Sequence, residues 1–118
     1  MMHARLRQLV RATFFACAAV VLFAALAPRT EQVPLTGWDK ANHVVAFAVL
    51  AVQAGLGWPG RLGIACMALV AYGGGIEILQ SLTSTRTADW LDLLADAAGV
   101  LAGAGLLLAV QRWARTRT

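Results

Sequence analysis

The chain is short of charge. Only 14% of its 118 residues are Asp, Glu, Lys or Arg, against roughly 25% in an ordinary soluble domain. With 59% apolar residues beside that shortage, a water-soluble globular fold is a poor reading. Cysteine is scarce too. Cys17 and Cys66 both lie inside apolar stretches, outside any CxxC or metal-ligand spacing. They say little about redox compartment and read as small buried residues. No HxxxH or HExxH spacing occurs, so no metal site and no cofactor is implied. The pI near 10.1 raises nucleic acid as a partner. The basic residues are dispersed at segment ends, however, and no basic stripe with interleaved aromatics exists, which argues against it. The chain also lacks internal repeats, low-complexity tracts and any sign of a second domain, so residues 1–118 read as one unit.

What is present is a set of long apolar runs, the material of membrane spans. Their boundaries are written in breaker chemistry. Pro28 ends the first, a polar connector follows to Lys40, Pro59-Gly60 makes a turn, and Thr83 to Asp89 forms a short loop. Four helices are expected at about 11–27, 41–58, 62–82 and 90–110. The first resembles a signal peptide, because Ala25-Leu26-Ala27 has the small-residue pattern of a cleavage site. Pro28 directly after it argues against cleavage, and a retained helix is the favoured reading. Trp38 and Trp58 flank the second run and Trp90 and Trp113 the fourth. These spacings correspond to about 30 and 35 Å of helix, close to the hydrocarbon thickness, with tryptophan at its preferred interface.

Charge supplies an orientation. The N-terminus, the Pro59-Arg61 turn and the tail hold seven arginines and no acid, while all six acidic residues fall on the other side. The positive-inside bias places both termini in the cytoplasm. The expected architecture is therefore an all-α, four-helix transmembrane bundle of the cytoplasmic (inner) membrane, with the lipid bilayer as its first partner.

Within that frame the polar residues gather at one level. Glu77 and Gln80 sit near the outer end of the third run, just after Gly73-Gly74-Gly75. Asp39, Lys40 and His43 open the second helix. Asp89, Asp92 and Asp96, spaced i, i+3, i+7, share a face of the fourth. Arg86 lies in the loop above. Ala95, Gly99 and Gly103 repeat every four residues, the spacing of a close helix-packing face. Gln53, deeper in the second helix, reads as an interhelical hydrogen-bonder. Intramembrane ionisable groups are costly and mark function by default. The alternative is a buried ion-pair network that only fixes helix register. His43 with Glu77 or Asp92 is the candidate acid–base set. Ser81 and Ser84 lack a nucleophile-elbow signature and read as helix-end hydrogen-bonders.

The ordered set Asp39-Lys40-x-x-His43, Glu77-x-x-Gln80, Arg86 and Asp92-x-x-x-Asp96-x-x-Gly99, with Gly103, resembles the VanZ-like membrane proteins. It departs at Asp96, where that family is expected to carry asparagine. The resemblance spans about two thirds of the chain. It implies a small four-helix membrane protein linked to glycopeptide resistance, above all to teicoplanin. Three functional classes remain open. One is a binding module whose outer-leaflet pocket, built from Asp39, Lys40, His43, Glu77, Gln80, Arg86, Asp92 and Asp96, takes the head group of an envelope lipid or lipid-linked peptidoglycan precursor. Another is an enzyme modifying such a lipid. The third is a structural or partner-binding subunit.

Overall fold

The computed structural model describes residues 2–27, 39–83 and 89–117, with the backbone alone at Asp39. They form four helices, α1 (Ala4–Leu26), α2 (Asp39–Gly57), α3 (Leu62–Ser81) and α4 (Trp90–Thr116). The all-helical reading holds, and six of the eight helix ends fall within two residues of expectation. The N-terminal end of α1 and the C-terminal end of α4 run further. α1 begins at Ala4 rather than near residue 11, and α4 continues to Thr116 rather than 110. Both extensions carry two arginines and a glutamine. These are good helix formers whose long stems lie along apolar surface while their heads reach water. Hydropathy marks where a run stops being apolar, not where a helix ends.

Three of the helices, α1, α3 and α4, are long and apolar enough to cross a membrane. α2 is not among them, because its first turn is spent on Asp39, Lys40, Asn42 and His43. Large apolar side chains point outward on every helix, including Phe23 on α1, Val49 on α2, Met67 on α3 and Leu101 on α4. An apolar exterior around an apolar core is the pattern of a bundle solvated by lipid.

The helices alternate in direction, but the packing order around the bundle is α1, α2, α4, α3. α2 touches all three others, and α1 and α4 do not meet. Hence α2 and α4 lie side by side and parallel, as do α1 and α3. The α2–α4 contact is the most extensive. Its cause is visible at Gly99 and Gly103. A Cβ on Gly99 would run into the backbone carbonyl of Val44, and one on Gly103 into that of Ala48. Two glycines one turn apart thus let α4 lie directly on the backbone of α2. Gly73 serves a different purpose, since a Cβ there would sit 2.7 Å from Asp96 Oδ2. Of the glycine triplet, only Gly73 faces a neighbouring helix this closely. Gly74 and Gly75 meet nothing within 4 Å and face outward.

Phe47, Leu50 and Ala51 of α2, Leu69 and Ile76 of α3 and Val100 of α4 make the apolar core. α1 is tied on by polar contacts at several depths. Arg11 Nε donates to the Gly57 carbonyl at 2.6 Å, Gln53 Nε2 lies 3.4 Å from Cys17 Sγ, and the Tyr72 hydroxyl donates to Ala18 O. Gln53 is thus the interhelical hydrogen-bonder expected of it. Cys17 and Cys66 are free thiols packed against the core.

Candidate functional site

The polar groups converge where α2 and α4 begin and α3 ends. Asp89 forms the cap of α4, accepting from Leu91 N at 2.9 Å through its own carboxylate. Its backbone N–H donates to Glu77 Oε2 at 2.8 Å. Glu77 therefore ties the end of α3 to the start of α4, satisfying a donor that a helix N-terminus leaves open.

Lys40, one residue into α2, reaches across to α4. Its ammonium is 2.8 Å from Asp89 Oδ2 and also pairs with Asp92. The Lys40 side chain is 25% exposed and that of Asp89 36%, whereas Asp92 is sealed at 1%. The lysine thus forms the rim of the cluster and Asp92 its interior. One turn deeper, His43 Nδ1 lies 2.6 Å from Asp96 Oδ1. With Asp96 ionised its oxygen only accepts, and Nδ1 then carries the proton. The other ring nitrogen, Nε2, faces Asp92 Oδ2 at 3.8 Å. The parallel register of α2 and α4 explains these pairings. Lys40 and His43 are one turn apart, as are Asp92 and Asp96, so each base meets its own acid.

Of the residues singled out from sequence, Lys40, His43, Glu77, Asp92 and Asp96 come together, and Asp89 joins them. Gln80 is fully buried, but its amide donates to Ala25 O of α1 at 2.8 Å, so it also serves as a tie between helices. Ser81 bonds back to Ile78 O within its own helix, as a helix-end serine does. The Asp39 side chain, Trp38, Ser84 and Arg86 lie outside the described residues. Sequence reasoning missed the role of Lys40 as a counter-ion to two aspartates. Its only signal was arithmetic, a lone lysine entering a helix opposite an acidic face.

Among the described residues the cluster holds four carboxylates, those of Glu77, Asp89, Asp92 and Asp96, against Lys40 and His43. Three buried acceptor atoms, Glu77 Oε1, Gln80 Oε1 and Asp92 Oδ2, receive no hydrogen bond from the described residues. Buried polar atoms are nearly always paired, and leaving one unpaired costs about 1–3 kcal/mol. Among the described residues, this end is thus rich in acceptors and poor in donors.

Apolar-surfaced helices with an ionisable cluster closed over one end define a small helical membrane protein. A family model described as VanZ/LLP1 matches residues 2–111, nearly the whole chain. The chain belongs to that family. No curated protein and no solved structure gives a significant match to it.

Proposed function

We propose that the acidic end is a binding site in the outer leaflet for the head group of an envelope lipid or lipid-linked peptidoglycan precursor. On this reading the chain crosses the cytoplasmic membrane four times, with both arginine-rich termini inside. The observation that carries it is the set of three buried acceptor oxygens without donors among the described residues. A network built only to fix helix register would satisfy itself, because a half-satisfied buried network is worse than an apolar one. The missing partners are donors, so the head group offers amines, amide N–H groups or hydroxyls. A phosphate fits Lys40 poorly, since that ammonium already serves Asp89 and Asp92. Asp39 and Arg86 are proposed to complete the rim. Family membership supports a bearing on glycopeptide, especially teicoplanin, susceptibility.

A second reading, a lipid-modifying enzyme, is favoured by one observation, the His43–Asp96 pair. A carboxylate holding Nδ1–H fixes the tautomer and leaves Nε2 as the nitrogen that exchanges a proton, the arrangement of a general base. Mass spectrometry of envelope lipids incubated with the purified protein separates these readings, with Glu77→Gln as control. Enrichment of one lipid species without chemical change, lost in the variant, is the expected result. Conversion of a species to a product would establish the enzyme. Neither outcome in a folded sample would leave the cluster a structural network.

A further inference from the structure

The opposite end of the bundle carries a second feature that the acidic cluster does not use. Between α1 and α3 lies an apolar cavity of about 470 Å³, lined also by Ala54 of α2 and by Trp58 just after it. It exists because the facing positions are small. Ala18 on α1 and Ala65 and Ala68 on α3 leave the two helices apart, and no larger side chain fills the gap. Tyr72 closes the deep end, its hydroxyl spent on Ala18 O. The channel therefore runs from a closed apolar end in the middle of the bundle to a mouth at the arginine-rich end.

The mouth is cationic. Arg61, exposed at the start of α3, lines it, and its guanidinium has no carboxylate partner among the described residues. Arg11 sits close by, with its guanidinium 5.2 Å over the Trp58 ring and its Nε bonded to Gly57 O. Phe14 and Phe15 pack edge-on against the same ring. Tryptophan and arginine at one depth are the signature of a bilayer interface. The acidic side chains among the described residues, those of Glu77, Asp89, Asp92 and Asp96, all lie toward the other end.

We propose that this groove holds an acyl chain of an anionic phospholipid whose phosphate is met by Arg61. The apolar walls suit a hydrocarbon chain and nothing polar. The uncompensated guanidinium at the mouth selects a head group of net negative charge, as basic pockets between transmembrane helices do. A zwitterionic lipid brings its own cation and gains less from Arg61.

Trp58 makes the proposal measurable. In a variant with Trp38, Trp90 and Trp113 replaced by phenylalanine, Trp58 is the sole indole. Its fluorescence is followed in vesicles containing brominated phosphatidylglycerol or brominated phosphatidylcholine. The expected result is quenching by phosphatidylglycerol with an apparent affinity about five-fold tighter than by phosphatidylcholine, the size of effect one arginine supplies near a charged surface. Arg61→Gln is expected to bring the two lipids level. Ala68→Phe, which fills the groove from an exposed position, is expected to abolish the preferential quenching, while Ala102→Phe on the outer face of α4 leaves it intact. Equal quenching by both lipids in the parent would overturn the proposal in favour of ordinary annular lipid. So would unchanged selectivity in Ala68→Phe. Protection of Trp58 that grows with the protein-to-lipid ratio would assign the groove to a second copy of the chain instead. None of these readouts depends on the acidic end.

Discussion

At the scale of single residues, the cluster sets Lys40 against Asp89 and Asp92 and His43 against Asp96, and its variants separate charge from hydrogen bonding. Asp96→Asn keeps an oxygen that accepts from His43 Nδ1–H, while Asp96→Ala removes it from a fully buried site. The alanine variant is expected to lose about 1–3 kcal/mol, the cost of a stranded buried donor. The asparagine variant is expected to keep most of the parent's stability, by denaturation of the purified protein in detergent. Lys40→Met leaves Asp89 and Asp92 without their shared cation. Breaking a buried pair from one side costs roughly 3–5 kcal/mol, and the partly exposed rim position puts Lys40 near the lower figure. The double change Lys40→Met with Asp92→Leu is expected to recover part of that loss. This shows in the same melting assay as a smaller deficit than the single variant gives.

At the scale of helices, the close approach of α2 and α4 rests on two glycines. Gly99→Ala and Gly103→Ala each drive a methyl into a carbonyl of α2, which cannot move aside as a side chain would. Each is expected to destabilise by about 1–3 kcal/mol. Gly74→Ala and Gly75→Ala meet open space, and they should be neutral or stabilising by up to about 1 kcal/mol through helix propensity. Thermal melts of the four variants give the comparison. Here the limits of the sequence also become physical. The segmentation was legible because Pro28 and Pro59-Gly60 break helices wherever they occur. The acidic face of α4 was legible because helical spacing is fixed by geometry. The Ala95-Gly99-Gly103 face was visible as a packing stripe for the same reason. The partner of that stripe was not, since nothing in a run of alternating helices says that the fourth lies beside the second. Nor did the glycine triplet reveal that one member serves Asp96 and two face lipid. The commitment of Gln80 to Ala25 O was equally hidden, because its acceptor is a backbone atom that every residue carries.

At the scale of the whole molecule, the two ends differ in kind. One gathers carboxylates, the other only arginines, with an apolar mid-section between them. The proposed orientation predicts a labelling pattern in intact cells. With Cys17 and Cys66 replaced by alanine, Thr83→Cys is expected to react with a membrane-impermeant maleimide added outside. Thr116→Cys is expected to react only after permeabilisation. The reverse pattern would invert the assignment of the two faces. α1 belongs to the folded unit, because its carbonyls satisfy Tyr72 and Gln80 at two depths.

The packing order also bears on how the chain is made. Synthesis delivers α2 two helices ahead of α4, yet the closest contact in the bundle, and the carboxylates recorded against Lys40 and His43, all come with α4. A chain halted after α3 would hold Lys40 and His43 without the α4 aspartates, together with an open backbone surface along Val44 and Ala48. Insertion of the last helix is therefore the step that both closes the bundle and brings the aspartates to Lys40 and His43. A nascent chain that fails there carries the kind of exposed polar helix that membrane quality control removes.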